Sequence, residues 1–186
     1  MSLLELGYQH VPGFTSVAMA HYMARMMRAS KTYHDHQVPK ADSVHLGYPL
    51  FEVFHWDQMK DFEAITGKKL APTVVYGRIY RLGNELKRHT DGGHCEYSIT
   101  INLAKNHDWP FEIEDLKGKK VSLELAPGDA VYYLGPQVNH WRKKFRGTEC
   151  CQMFMHYVDL DGPHAAFAYK WTSLTVEKYN ALSAPA

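Results

Sequence analysis

The sequence predicts a mainly β protein with helices near its N-terminus and a core built as a sandwich or jelly roll. The chain of 186 residues has the length of one domain, and its 45% hydrophobic and 22% charged residues are ordinary for a globular protein. From residue 72 onward, short β-rich runs alternate with turns that contain Gly, Pro, Asn or Lys. Evenly spaced strands of this length favour a sandwich or jelly roll.

The N-terminal part of the chain predicts helices and irregular segments. Residues 1–15 have the character of an irregular or extended segment. Residues 16–32 predict a helix that Ser16 caps, with Met23 and Met27 on its apolar side at helical spacing. We expect these methionines to pack in the core, because methionine adapts to irregular surfaces.

Three further segments lie outside the predicted strands. Residues 33–50 combine histidines with Pro, Asp and Gly, and they predict a loop. A second helix is predicted over 57–66 and ends at Gly67, and a terminal helix is predicted over 174–182. We expect the N-terminal helices to cover one sheet of the β core.

Five β-rich runs form the predicted core. Pro127 and Gly128 supply the bend that leads into one of them. No internal repeat, low-complexity tract or linker interrupts the sequence, so we predict one domain over 1–186, with helical and loop support over 1–70 and the β core over 72–160. The runs are residues 73–82, 96–103, 121–126, 130–135 and 151–160.

Charge and cysteine content narrow the function classes. A formal net charge of +1 gives no broad attraction to nucleic acid or to an anionic membrane. No apolar run approaches the roughly 20 residues of a membrane span, and the N-terminus lacks the pattern of a signal peptide. The three cysteines form neither a disulfide framework nor a Cys-x-x-Cys pair. We therefore expect a cytoplasmic protein that does not bind a membrane, and nucleic acid is a disfavoured partner.

His89-Thr90-Asp91, together with His140, predicts a metal centre. Residues two apart on a strand point to the same side, so one metal can bind both His89 and Asp91. In a jelly roll the chain can return to the same pocket after about as many residues as separate Asp91 from His140 in the sequence. Two imidazoles and one carboxylate on one face of a divalent iron leave three coordination positions open. His-x-Asp alone is too short to be specific, so its sequence context decides.

That context is similar to a known family. The segment YRLGNELKRHTD, from Tyr80 to Asp91, resembles the Tyr…Gly…His-x-Asp segment of the 2-oxoglutarate/Fe(II) dioxygenase superfamily, prolyl-4-hydroxylase-like branch. A run that ends in INL follows, as it does in that family. PGDAVYYLGPQVNHW, residues 127–141, then resembles the family's Pro-Gly-Asp run before the distal histidine. The resemblance extends over residues 74–158.

The resemblance implies a double-stranded β-helix that binds Fe(II) through His89, Asp91 and His140 and uses 2-oxoglutarate as cosubstrate. Such enzymes decarboxylate 2-oxoglutarate to succinate and use dioxygen to hydroxylate an unactivated C–H bond, and ascorbate can serve as a reductant. For a chain this compact we expect a small molecule or a peptidyl side chain as substrate. The 33–50 loop and the N-terminal helix are then the predicted lid and wall of the site.

One position departs from the family pattern. The family places an Arg or Lys a short distance beyond the distal histidine to bind the C5 carboxylate of 2-oxoglutarate, where this chain has Glu149, Cys150 and Cys151. We favour Arg142 for that role. It follows His140 by two residues, which puts it on the same side of a strand, and its planar guanidinium suits a carboxylate.

Other side chains complete the candidate site. Tyr80 matches a tyrosine that helps to hold 2-oxoglutarate in the resembling family, and its hydroxyl can donate to the same carboxylate. His94 is equally compatible with a solvent-facing loop, and the strand tyrosines with ordinary half-buried positions. The remaining candidates are Arg78, Lys144 and Arg146 as cations, Asn102 and Gln152 as hydrogen-bonding partners of 2-oxoglutarate, and His94 and Tyr76 as substrate contacts or neighbours of the metal.

Two alternatives stay open at this point. One is an iron oxygenase of the same β fold that does not use 2-oxoglutarate, although cupin-type sites usually carry His-x-His and Glu. The other is a non-catalytic jelly-roll binding module. A buried carboxylate beside two histidines is costly without a metal, which disfavours the binding module.

Overall fold

The computed structural model describes residues 2–45 and 49–182, apart from the side chains of His45 and Pro49. Within those residues the strands form two antiparallel sheets, one of seven strands and one of four. The helices are α1 (Leu3–Leu6), α2 (Val17–Ala29), α3 (Pro49–Thr66) and α4 (Val176–Leu182). The strands are β1 (Tyr8–Val11), β2 (Tyr33–His34), β3 (Asp42–His45), β4 (Leu70–Arg81), β5 (Leu86–His89), β6 (Tyr97–Lys105), β7 (Phe111–Glu114), β8 (Lys120–Leu123), β9 (Ala130–Tyr133), β10 (His140–Arg142) and β11 (Glu149–Asp159).

The two sheets face each other, and each joins strands that are distant in sequence. The large sheet has the order β1-β9-β6-β11-β4-β3-β2, and the small sheet has the order β5-β10-β7-β8. The centre of the large sheet is β11, which pairs with β4 on one side and β6 on the other. These three strands are buried along most of their length, because both faces of the large sheet are covered.

Helices α2 and α3 cover the outer face of the large sheet. Met23 and Met27 of α2 are fully buried against it. A Cβ added to Gly77 of β4 would lie 2.4 Å from the Met27 side chain, so the helix approaches this strand closely where there is no side chain. On α3, Phe62 stacks on Tyr132 with ring centroids 4.7 Å apart. The main apolar core therefore lies between the helices and this sheet.

The inner face of the large sheet turns polar and aromatic side chains toward the small sheet. Alternation along β4 puts Tyr76, Arg78 and Tyr80 on this face. Phe154 and His156 of the neighbouring β11 share it, and the Tyr76 ring stacks against both of their rings. Polar groups are thus concentrated between the two sheets, away from the helix-covered core.

Most of the predicted architecture is confirmed. The mainly β fold with facing antiparallel sheets is present, and the helices cover one sheet as expected. Helix α2 begins after Ser16, whose hydroxyl accepts the Met19 N–H at 3.1 Å. Helix α4 falls within 174–182, and each of the five β-rich runs overlaps a strand. Every helix among the described residues is too short or too polar to cross a membrane.

The predictions for the first third of the chain are partly wrong. Helix α3 begins at Pro49 rather than at residue 57. Its first turns contain aromatic residues such as Phe51 and Trp56, whose burial outweighs their weak helix propensity. Residues 33–50 are not a loop throughout, because β2 and β3 extend the large sheet beside β4. Strand β1 joins its other edge, so the region predicted as helical and loop support also contains strands.

Candidate metal centre

His89, Asp91 and His140 come together between the two sheets, as the sequence predicts. His89 is the last residue of β5 and His140 the first of β10, and the two are cross-strand partners. Asp91 Oδ1 lies 3.5 Å from His89 Nε2 and 3.5 Å from His140 Nε2. The centroids of the two imidazole rings are 4.3 Å apart. The three side chains thus present two nitrogens and one oxygen to a common point.

The position of Asp91 corrects one step of the sequence prediction. Strand β5 ends at His89, so the shared-strand explanation for His89 and Asp91 is wrong. Asp91 is held instead by its own N–H, which donates to the Gly135 carbonyl at 3.0 Å. A Cβ on Gly135 would lie 2.9 Å from Asp91 Oδ2 and 2.2 Å from the Cys95 carbonyl oxygen. Only glycine at this position leaves space for the carboxylate.

Hydrogen bonds fix both imidazoles in the tautomer that a metal requires. His89 Nδ1 is 2.7 Å from the Lys87 carbonyl oxygen, and His140 Nδ1 is 3.3 Å from the Val138 carbonyl oxygen. A carbonyl only accepts, so each Nδ1 carries a proton, and in the neutral imidazole each Nε2 keeps its lone pair. Ligand histidines in metal sites commonly donate their second nitrogen in this way.

The charge and spacing of the three ligands fit a divalent cation. Burial raises the pKa of Asp91, but His140 and His89 outweigh it and hold that pKa well below the usual range. The carboxylate is therefore ionised near neutral pH. Two ligands at right angles on a metal with bonds of about 2.1 Å are separated by about 3 Å. The contacts of 3.5 Å need only a small contraction to match.

Gln37 closes the cavity in front of the three ligands. Its amide nitrogen lies 2.8 Å from His89 Nε2, and its amide oxygen accepts from Arg78 Nη2 at 2.9 Å. The remaining free volume is about 20 Å³, room for about one water. The cavity is lined by Gln37, Tyr76, Arg78, Leu86, His89, Asp91, Phe111, Tyr133, His140, Arg142 and Phe154.

Asp35 anchors the segment that carries Gln37. One carboxylate oxygen accepts the backbone N–H groups of Gln37 at 2.9 Å and Val38 at 2.6 Å. The other accepts from the Ser43 hydroxyl at 2.5 Å and from Arg78 Nε at 2.6 Å. Within the predicted 33–50 lid, the segment around Gln37 does cover the site. The N-terminal helix does not form its wall, because α2 packs on the far face of the large sheet.

The two buried arginines of the cavity differ in their partners. Arg78 binds Asp35 and also donates from Nη1 to the Tyr80 hydroxyl at 2.9 Å. Arg142 donates to the Trp109 carbonyl oxygen at 2.5 Å and to Gln152 Oε1 at 3.3 Å. Among the described residues, no carboxylate lies within 4.0 Å of the Arg142 guanidinium. Burial lowers its pKa, so this side chain is a desolvated cation with neutral partners only.

The remaining predicted residues lie at different depths. Tyr76 lines the cavity, whereas Tyr80 is fully buried beside it. Asn102 and Gln152 lie behind Arg142, where Gln152 donates to Asn102 at 2.9 Å, and their contact with a cosubstrate stays a prediction. His94 lies outside the cavity lining. Its ring is half-buried and packs edge-on against the Phe167 and Trp171 rings.

Sequence reasoning missed several residues that the fold brings to the site. Gln37 and Asp35 lie far from the ligands in sequence, and no local pattern marks them. Trp109 and Phe111 flank Arg142, with its guanidinium carbon 4.9 Å and 5.2 Å from their ring centroids. Tyr133 could have been identified from the sequence, since it belongs to the predicted run 130–135 and strand alternation assigns its side chain to one face of the sheet.

Solved structures share this fold. A prolyl-4-hydroxylase from Pseudomonas putida matches with a TM-score of 0.71 and 13% identity over 84% of this chain and 95% of that one. HygX from Streptomyces hygroscopicus, with nickel and 2-oxoglutarate bound, matches with a TM-score of 0.72 and 11% identity over 86% of this chain and 85% of that one. SnoN, a non-heme alpha ketoglutarate dependent epimerase from nogalamycin biosynthesis, matches with a TM-score of 0.69 and 14% identity over 84% and 78%.

The chain therefore has the double-stranded β-helix fold of these proteins, as the sequence resemblance implies. No protein-family model matches the sequence, and no curated protein matches it significantly. At identities of 11 to 14%, the likeness to solved structures establishes the fold alone.

Proposed function

We propose that this protein is an Fe(II)- and 2-oxoglutarate-dependent oxygenase that hydroxylates a C–H bond of a small molecule or a peptidyl side chain. The observation that carries the proposal is the ligand set itself. His89 Nε2, Asp91 Oδ1 and His140 Nε2 face one point with their lone pairs available. Two histidines and one carboxylate on one face are the donor set of non-heme Fe(II) oxygenases. When bound, Fe(II) and 2-oxoglutarate supply the dioxygen and decarboxylation chemistry.

Arg142 is the residue that we propose for the C5 carboxylate of 2-oxoglutarate. It lines the same cavity as the ligands and follows His140 by two residues, about 7 Å along the strand. A five-carbon dicarboxylate has a comparable length. The buried guanidinium lacks an acidic partner among the described residues, and a carboxylate would supply one. Gln152 and Asn102 then support Arg142 from behind.

Arg78 is the weaker candidate for that carboxylate. Its Nε is bound to Asp35 and its Nη1 to Tyr80, so most of its donors are in use. A second anion there would compete with the Asp35 carboxylate. We assign Arg78 and Tyr80 to the support of the Gln37 segment, in which Arg78 Nη2 donates to the Gln37 amide oxygen at 2.9 Å.

Substrate is proposed to arrive beside His89 and Asp91. Their side chains are 24% and 14% exposed, whereas that of His140 is 3% exposed, so the cavity opens on their side. Aromatic rings of Tyr76, Phe111, Tyr133 and Phe154 surround the remaining directions and exclude water, a suitable environment for the apolar part of a substrate. We also propose a cytoplasmic location, which accords with the three buried cysteines in the free thiol form.

The first experiment measures cosubstrate turnover. The purified protein is incubated with Fe(II), ascorbate and 2-oxoglutarate under air, and succinate is quantified with and without panels of amino acids, peptides and small metabolites. Succinate formation that disappears in His89→Ala and Asp91→Ala supports the proposal. The matched control is His107→Ala, an exposed histidine away from the cavity, which should keep full turnover.

The second experiment separates the three candidate functions by binding. Calorimetric titration of 2-oxoglutarate into the anaerobic metal complex should give binding that Arg142→Ala weakens by about 2–5 kcal/mol, while Arg146→Ala leaves it unchanged. Metal binding without any 2-oxoglutarate binding would favour an iron oxygenase with another electron source. Absence of divalent metal binding would favour the non-catalytic jelly-roll module. Normal 2-oxoglutarate binding by Arg142→Ala would refute the role of that arginine alone.

A further inference from the structure

Two buried polar atoms behind the metal centre have no hydrogen-bond partner among the described residues. They are Asp91 Oδ2 and His156 Nε2. Asp91, His156 and Cys95 each offer an atom within 4.8 Å of the others, so the two side chains are neighbours. Leaving a buried polar atom unpaired costs about 1–3 kcal/mol. A carboxylate oxygen accepts and an imidazole nitrogen can donate, so a hydrogen bond between the two side chains would satisfy both atoms at once.

The hydrogen bonds of Ser98 determine whether His156 can donate. Ser98 Oγ lies 2.8 Å from His156 Nδ1 and 3.0 Å from the Cys95 carbonyl oxygen, but a hydroxyl has only one proton. If Ser98 donates to Cys95, His156 carries its proton on Nδ1, and two lone pairs oppose each other at Asp91. If Ser98 donates to His156 Nδ1, the ring carries its proton on Nε2 and can donate to Asp91 Oδ2.

We propose that His156 is a positioning residue for the metal-binding carboxylate. Its Nε2–H donates to Asp91 Oδ2, which leaves Asp91 Oδ1 directed at the metal as a single ligand oxygen. The Ser98 hydroxyl holds the ring in the required tautomer from the opposite side. This inference rests on the proposed metal centre and extends it to a relay from Ser98 through His156 to Asp91. Partners behind metal ligands orient them in this manner in other sites.

The fold supports this role because His156 has little freedom. It is 2% exposed and its ring stacks on Tyr76, with centroids 5.7 Å apart and planes inclined by 22°. Its carbonyl oxygen accepts from the Thr73 hydroxyl at 3.0 Å, and it is the cross-strand partner of Ser98. A ring held on one face by Tyr76 and fixed along its backbone can orient a neighbouring carboxylate.

The test compares variants that keep or remove the donor. His156→Phe keeps a stacking ring but has no N–H, and His156→Gln places an amide N–H near the position of Nε2. Co(II) is titrated into each apo-protein, with the dissociation constant and the visible d–d spectrum as readouts and thermal unfolding of the apo-proteins as a control for folding. Ser98→Ala and the double variant with His156→Phe complete the set.

We expect His156→Phe to weaken Co(II) binding by about 10- to 100-fold and to change the d–d spectrum, because the carboxylate is free to rotate. His156→Gln should restore most of the affinity and the wild-type spectrum. The single variant Ser98→Ala should also weaken Co(II) binding, but combining it with His156→Phe should cause no loss of affinity beyond that of His156→Phe. Wild-type affinity and spectrum in His156→Phe would overturn the inference, as would binding of two Co(II) ions per chain. If the wild type binds no Co(II), the proposed metal centre fails as well.

Discussion

Removal of the Gln37 amide should tighten metal binding. His89 Nε2 has one lone pair, and Gln37 donates to it at 2.8 Å. A metal bound to His89 requires that hydrogen bond to break. The net contribution of such a bond is about 0.5–1.5 kcal/mol, so Gln37→Ala should lower the dissociation constant by about two- to thirteenfold. The hydrogen bond from Arg78 Nη2 to the Gln37 amide oxygen does not enter this difference, because Gln37 can keep that bond after its amide nitrogen turns away from His89.

The assay is a competitive titration of Co(II) against a fluorescent chelator with the apo-protein and its Gln37→Ala variant. Gln137→Ala is the matched control, since Gln137 is exposed and lies outside the cavity lining. Gln37→Glu adds a carboxylate in place of the amide and should tighten binding further. Weaker Co(II) binding by Gln37→Ala would refute the reasoning, because it would mean that Gln37 supports the metal instead of competing with it.

Three further predictions concern the ligand support, the pH dependence and the core. Gly135→Ala should abolish Co(II) binding at concentrations that saturate the wild type, because the new Cβ meets Asp91 Oδ2 and a carbonyl oxygen; retained binding would contradict this steric account. Burial lowers the pKa of His55 to about 3, so the unfolded state binds more protons below pH 6.5. The free energy of unfolding should fall by about 2 kcal/mol from this residue between pH 7 and pH 5, and denaturant titrations of His55→Gln should lack that part of the loss. Met27→Ala should lower the free energy of unfolding by about 2–5 kcal/mol in the same titrations, because it leaves a cavity above Gly77. A loss below about 1 kcal/mol would contradict this, because it would mean that helix α2 moves in and fills the cavity.

The candidate metal-binding residues were predictable because their evidence is local. His-x-Asp, the preceding Tyr-Gly segment and the Pro-Gly-Asp run before His140 are contiguous sequence features. Arg142 followed from strand alternation, and it is buried on the same side as His140. The long central strands were also recognisable, because strands covered on both faces contain extended runs of β-favouring residues.

Strand geometry was expected at both histidines, but the bounds of the two strands that carry them were not predictable. Strand β5 has four residues and includes the exposed Lys87 and Arg88, and β10 has only three residues. Segments this short show no usable periodicity, and they form because each pairs with the other across the small sheet. Gln37 was not predicted for a related reason, since its contact with His89 spans 52 residues of sequence. Contacts between residues distant in sequence determine these features, whereas secondary-structure propensity and hydrophobic pattern depend only on residues that are close in sequence.

Strand β5 lies at the edge of the small sheet, where metal binding at His89 would be coupled to local unfolding. A short edge strand with exposed charged residues belongs to the regions that open most readily. One metal bound to His89 and His140 would cross-link β5 to β10, and its binding free energy would stabilise the closed strand. Amide hydrogens of residues 86–89 should therefore exchange quickly in the apo-protein and slow down when metal is added. Hydrogen exchange at this edge is then a reporter of occupancy that needs no knowledge of the substrate.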